Sequence, residues 1–170
     1  MNLKNHIRNI PDFPKPGILY RDITPLLGEP EALQRVIDEL TAYLRAEKIE
    51  AIAAVESRGF IFGTPVACRL GVPFVPVRKP GKLPYKTLTV EYSLEYGSGQ
   101  LDIHEDSIKP GARVAIIDDL LATGGTAAAA GELVRKCGGI VAAYAFVIEL
   151  TALAGRKLLG DTPVHSLMQF

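Results

Sequence analysis

An α/β fold, with a parallel sheet covered by helices on both faces, is predicted by three features of the 170-residue sequence. Short apolar runs alternate with segments of helical period, the chain between successive runs is long enough for crossovers, and one strictly alternating stretch interrupts the series. The length suits one domain over residues 1–170, and 48% hydrophobic with 22% charged residues is ample for one core, which excludes disorder and small disulfide scaffolds.

From Ile10 to Pro25, four prolines and a glycine forbid a regular helix and break strand pairing, so residues 1–28 read as an irregular N-terminal arm. Glu29 to Lys48 sets Leu33, Val36, Ile37, Leu40, Tyr43 and Leu44 three and four apart, the period of a helix with one buried face. Ala51 to Val55 is a buried strand, Glu56-Ser57-Arg58-Gly59 a loop, and Phe60 to Leu70 a helix that Gly71 ends. Pro73 to Val77, Arg113 to Ile117 and Ile140 to Ile148 are further buried strands. Between Lys86 and Tyr96, Thr87, Thr89, Glu91, Ser93 and Glu95 alternate with Leu88, Val90, Tyr92, Leu94 and Tyr96. With Gly97-Ser98-Gly99 as turn, Thr87 to His104 reads as an antiparallel hairpin projecting from the core.

Nineteen basic side chains balance nineteen acidic ones, so no global field draws the chain to nucleic acid or an anionic membrane, and any anion site must be local. The longest apolar run, Ile140 to Ile148, is far below the roughly 18 residues of a membrane span. Met1 to Ile10 lacks a signal-like apolar core, which makes a cytoplasmic location the default. Cys68 and Cys137 read as reduced core thiols, and His6, His104 and His165 are too scattered for a structural zinc site.

The chemistry concentrates in Arg113 to Lys136, where a buried strand runs into Asp118-Asp119, a turn, Gly124-Gly125 and an alanine-rich helix. A helix start of this kind aims several unpaired N–H groups at one spot, where the helix dipole favours negative charge. Ala122, Thr123, Gly124, Gly125 and Thr126 therefore read as a cradle for a phosphate monoester, without the Lys of a Walker loop or a dinucleotide fingerprint. Gly124→Val is expected to alter this cradle and leave the fold intact. Two carboxylates beside a phosphate need a ligand that offers donors, and the 2′ and 3′ hydroxyls of a ribose do so; a simple turn cap by the aspartates is the alternative. Arg58, at a strand-to-helix loop, is either a second anion contact or a surface ion pair. Arg78, Lys79 and Lys82 around Pro80-Gly81 form either a mobile basic lid or a solvated loop.

Val114 to Thr126 resembles the phosphoribosyl-diphosphate signature of the type I phosphoribosyltransferases. FPKPGILYRDITPLL, SRGFIFG, RKPGKLP and SLEYG stand in the order found in the branch of that family that uses adenine, so the resemblance covers nearly the whole chain. It implies the type I phosphoribosyltransferase fold, with residues 1–28 as a hood and 78–106 as a lid loop and hairpin. It further implies transfer of 5-phosphoribosyl from phosphoribosyl diphosphate to N9 of adenine, giving AMP and pyrophosphate in purine salvage. Mg²⁺ is implied as cofactor, held mainly by substrate and water with no protein metal cage. A homodimer is implied as well.

On this resemblance Ala122 to Thr126 would hold the 5′-phosphate, Asp118 and Asp119 the ribose hydroxyls, and Ser57 and Arg58 the pyrophosphate, with a cis peptide at Glu56-Ser57. Arg78, Lys79, Lys82 and Tyr96 would close over the reaction centre. Glu95 would move a purine proton as the catalytic acid-base group, whereas alternation alone leaves it a solvated strand residue. Leu19, Arg21 and Leu120 would bind the base. Glu56 and Pro84-Tyr85-Lys86 depart from the family pattern at positions expected to alter only loop detail. A phosphoribosyltransferase for another base, and a non-catalytic regulator that senses phosphoribosyl diphosphate, remain the alternatives.

Overall fold

The computed structural model describes residues 1–93 and 98–170. The N-terminal arm forms β1 (Arg8–Pro11), β2 (Leu19–Asp22) and the short helix α1 (Thr24–Leu27). There follow α2 (Pro30–Ala46), β3 (Ala51–Val55), α3 (Arg58–Leu70), β4 (Phe74–Val77), β5 (Thr87–Ser93), β6 (Ser98–His104), β7 (Arg113–Leu121), α4 (Gly125–Lys136), β8 (Ile140–Glu149) and β9 (Val164–Gln169). The five-stranded sheet has the order β4-β3-β7-β8-β9, and every pairing in it is parallel.

Because side chains alternate along a strand, the central strands divide their residues between two cores. Ile52 and Ala54 of β3 with Ala115 and Ile117 of β7 pack under α1, α2 and α3; Ala53, Val114 and Ile116 pack under α4 and the hairpin. Tyr144 and Phe146 of β8 join the second core, and Ala143, Ala145 and Val147 the first. A strand apolar on both faces is what a doubly covered parallel sheet requires, and β7 fulfils it up to Ile117.

Several expectations are corrected. The arm does pair: β1 and β2 run antiparallel with Arg8 opposite Asp22 and Pro11 opposite Leu19, while Pro14 and Pro16 occupy the connection, where no ladder N–H is needed. The Phe13-Pro14 bond is cis, which was not expected, whereas the cis peptide at Glu56-Ser57 is as expected. The hairpin does not stand free, for Val90, Leu101 and Ile103 are buried in the second core, and Arg78 and Asp102 exchange backbone hydrogen bonds of 3.0 and 2.7 Å. Ser98 and Gly99 belong to β6 rather than to a turn; a Cβ at Gly99 would lie 2.6 Å from the ring of Tyr92, its cross-strand partner, so glycine makes room for the ring. Cys68 is exposed on the outer side of α3, whereas Cys137 is buried just past the end of α4. The edge strand β9 was not foreseen.

One prediction follows from the packing of α4. A Cβ on Gly131 would overlap the hydroxyl of Tyr144, which is fully buried and cannot swing away. Helix propensity favours Ala over Gly by about 1 kcal/mol, but overpacking costs about 1–3 kcal/mol. Gly131→Ala should therefore lower the stability measured by urea unfolding in the parent, and become neutral or stabilising in a Tyr144→Phe background. Equal effects in both backgrounds would place the strain elsewhere.

Candidate active site

The candidate site lies at the edge where β3 and β7 give way to loops. After β3 the chain turns through Glu56-Ser57 and enters α3 at Arg58, and α3 lies so close to β7 that a Cβ on Gly59 would sit 2.9 Å from the Ile117 carbonyl and 3.1 Å from Asp118 Oδ1. Strand β7 continues through both aspartates to Leu121, further than its apolar run suggests, so the acids are strand residues rather than turn caps. Gly124 then takes a left-handed conformation (φ 89°) as the residue before α4, which opens the Gly-Gly-Thr turn toward the same edge.

Two adjoining cavities share this edge. One, of about 320 Å³, is lined in part by Ser57, Arg58, Lys79, Tyr92, Asp118, Asp119 and Thr126. The other, of about 200 Å³, is bounded by Arg58, Asp118, Asp119, Leu120 and the cradle residues Ala122 to Thr126. The predicted cradle, aspartates, Ser57, Arg58, Lys79 and Leu120 are thus brought together.

Arg58 donates from Nε to Asp119 Oδ2 at 2.5 Å, joining a half-exposed guanidinium to a buried carboxylate. Burial is the largest single influence and opposes the Arg58 charge, but the hydrogen bond and the charge of Asp119, with smaller help from Tyr20 and Asp118, together raise the pKa. Asp118 accepts from the Asp119 N–H at 2.9 Å. Burial, and then the charge of Asp119 beside it, push the Asp118 carboxyl well above the usual carboxylate range. The edge therefore pairs a strand-borne acid that resists ionisation with an ion pair, next to a helix start that favours anions.

The basic segment is tied down at its root. Arg78 Nε donates to Glu56 Oε2 at 2.7 Å, the Lys79 N–H donates to the same oxygen at 3.3 Å, and Arg78 Nη1 reaches the Lys82 carbonyl at 3.1 Å. Glu56, which sequence reasoning set aside as loop detail, is the anchor of that root. Arg78 and Lys82 do not line either cavity. Leu19, exposed at the start of β2, does not line them either, and the guanidinium of Arg21 is engaged by Asn9 Oδ1 and lies 4.2 Å over the Phe170 ring. Glu95 and Tyr96 lie outside the described residues.

Sequence reasoning missed Tyr92, whose place on the apolar face of the hairpin gave no hint that it lines the first cavity. It also missed Gly155. A Cβ on Gly124 would overlap the Gly155 carbonyl, so a side chain there would displace the 155–159 turn as well as the cradle. The expectation that Gly124→Val spares the fold is corrected on that ground.

A family model described as "Phosphoribosyl transferase domain" matches residues 27–162. The adenine phosphoribosyltransferase of Sorangium cellulosum is 57% identical over 173 residues, a match covering 99% of this chain and 86% of the relative. Among solved structures, adenine phosphoribosyltransferase from Thermoanaerobacter pseudethanolicus superimposes with a TM-score of 0.96 at 54% identity, covering 99% of this chain and 98% of that one. The Saccharomyces cerevisiae enzyme, complexed with an imino-altritol bisphosphate and adenine, gives 0.92 at 44% identity, covering 97% and 96%.

The position of Asp118 sets a pH dependence. In the unfolded chain it ionises near 3.8, while the native carboxyl holds its proton to higher pH, so the folded state loses stability as pH rises from 3.8 through the raised native value. Asp118→Asn removes that loss. Its melting temperature should fall less than the parent's between about pH 4 and about pH 7, and exceed it at the upper end. Parallel curves would mean that Asp118 ionises normally.

Proposed function

Since the chain belongs to the adenine phosphoribosyltransferase family, we propose that the two cavities at the β3–β7 edge hold phosphoribosyl diphosphate during the purine-salvage reaction that transfers its 5-phosphoribosyl group to adenine, forming AMP and pyrophosphate. The observation that carries this placement is the junction itself: an anion-binding helix start, two strand-borne aspartates and Arg58 border two joined cavities.

In this reading Ala122 to Thr126 bind the 5′-phosphate through backbone N–H groups and the Thr123 and Thr126 hydroxyls. Asp118 and Asp119 accept from the ribose hydroxyls, which orients C1 toward the first cavity. Ser57, Arg58 and Lys79 receive the pyrophosphate, with Lys82 and Tyr96 closing over it to exclude water from the cationic ribose centre, while Arg78 holds the root of that lid through Glu56. The C1–O bond to pyrophosphate breaks, the C1–N9 bond forms, and the N9 proton passes to Glu95 as the general base. Arg58 leaves Asp119 free to meet the ribose as it turns to the incoming anion.

Adenine is placed between Leu19 and Leu120, with Arg21 contributing its backbone. Supporting this, the Arg21 guanidinium is occupied by Asn9 and Phe170, while β2 is an edge strand whose alternate residues point N–H and C=O groups outward. A base with a carbonyl in place of the 6-amino group would set acceptor against acceptor.

The donor set suits Mg²⁺ carried in with the substrate. Among the described residues no group of three or more His, Cys, Asp or Glu could hold a metal ion, and Asp119 is already paired with Arg58. Phosphoribosyl diphosphate and water would supply most ligands, with Asp118 and Asp119 alongside, and the ion would neutralise charge on the leaving pyrophosphate. Among the described residues no helix is long and apolar enough to cross a membrane. A cytoplasmic homodimer is part of this proposal.

Incubating the protein with Mg²⁺, phosphoribosyl diphosphate and each nucleobase in turn should yield nucleotide from adenine alone. Product from hypoxanthine or orotate would reassign the base, and tight substrate binding with no turnover would indicate a sensor. For the proton, Glu95→Gln should lower kcat by about 10² to 10⁴ with substrate affinities nearly unchanged. Glu91→Gln is the control, since Glu91 is occupied by Gln100 across the hairpin at 2.5 Å. A Glu95→Gln enzyme with parental kcat would end the acid-base assignment.

A further inference from the structure

Glu149 is a buried carboxylate outside both cavities, at the end of β8 beside Leu121, the last β7 residue before the cradle. Burying a carboxylate is costly unless its oxygens are satisfied. Arg156 satisfies both, donating from Nε to Oε1 and from Nη2 to Oε2 at 2.6 Å each, and the Ser166 hydroxyl donates to Oε2 at 2.6 Å. The Arg156 Nη1 also donates to the Val164 carbonyl at 2.8 Å. One planar guanidinium thus ties the 155–159 turn to β8 and β9 in a fixed orientation.

The residue before it is Gly155. A Cβ there would overlap the Ala122 carbonyl and lie 3.0 Å from Gly124 N, so the turn rests directly against the backbone of the cradle. The Leu150 N–H donates to the Leu121 carbonyl at 2.9 Å, which fixes the same strand end from the other side.

We propose that Arg156 is a positioning residue for the phosphate cradle: by clamping Glu149 and Ser166 it seats Gly155 behind Ala122 and Gly124 and so sets where their N–H groups point. This rests on the reading of Ala122 to Thr126 as the 5′-phosphate site. The Arg156 pKa is raised and that of Glu149 lowered, the Arg156–Glu149 hydrogen bond being the largest cause for both, in keeping with a charged pair.

The test compares ligands with and without the cradle's target. In calorimetry, Arg156→Met should weaken ribose 5-phosphate binding by about 10- to 100-fold while pyrophosphate affinity stays within about twofold of the parent. In turnover, KM for phosphoribosyl diphosphate should rise with kcat nearly unchanged. Arg156→Lys keeps the charge but not the fork, and should fall between parent and Arg156→Met; it decides the matter if the methionine variant does not fold. A third variant, Thr123→Ala with Thr126→Ala, removes the cradle hydroxyls with the clamp intact. If it binds ribose 5-phosphate as tightly as the parent, the phosphate reading fails and the proposal with it. If it weakens while both Arg156 variants remain parental, the positioning role alone is overturned. Equal losses for ribose 5-phosphate and pyrophosphate in the Arg156 variants would also overturn it, because that is the signature of general loosening.

Discussion

The ion pair between Arg58 and Asp119 is the interaction on which the β3–β7 edge depends. A buried carboxylate at the end of an apolar strand is tolerable only when its charge is met, and leaving such a group unpaired costs several kcal/mol, about 3–5 in comparable cases. By meeting it, Arg58 holds the start of α3 against β7, where Gly59 leaves room for so close an approach. Asp118 lies on the same strand end without a cation hydrogen-bonded to it, and responds by holding its proton. Adjacent carboxylates thus meet different surroundings, Asp119 joined to a guanidinium and Asp118 pressed by burial to hold its proton.

The parts of this design that lie along the chain were legible. The apolar run of Val114 to Ile117, the acids, the glycine pair and the helical period after them form one local grammar, and the strand, cleft and helix appear where that grammar puts them. The failures occur where the deciding contact is remote. Pro11, Pro14 and Pro16 argue correctly against strand between Asp12 and Ile18, but the flanking residues still pair, since a two-stranded ribbon asks little of its outer edges. The polar mixture of Val164 to Gln169 carries no strand signal because an edge strand need not be apolar on either face. Cys68 sits among apolar neighbours in sequence, but a helix turns those neighbours inward and the cysteine outward. Gly155 had no motif around it, and its importance lies wholly in what touches it. The resemblance to known phosphoribosyltransferases supplied the roles proposed for Glu95 and the N-terminal arm, which periodicity alone could not.

The two glycine contacts at this edge are of different kinds. Gly59 admits a helix to a strand, so it governs how near two regular elements come. Gly124 and Gly155 bring two irregular segments together, where no ladder or helix fixes the separation, and the packing of one backbone on the other takes over that task. Precision in an anion site built from backbone groups then depends on the stiffness of what stands behind it.

The paired backbone hydrogen bonds between Arg78 and Asp102 have a mechanical consequence for the residues that follow. With Arg78 fixed there, and the Lys86 carbonyl accepting from Glu105 at 3.1 Å, the chain from Lys79 to Tyr85 is a short arc pinned at both feet. Such an arc can bow inward or outward without unzipping any strand. Its excursion is bounded by contour length once the bonds of Lys79 to Glu56, Lys82 to Arg78 and Tyr85 to His104 let go, and every return brings its lysines back to the same gate.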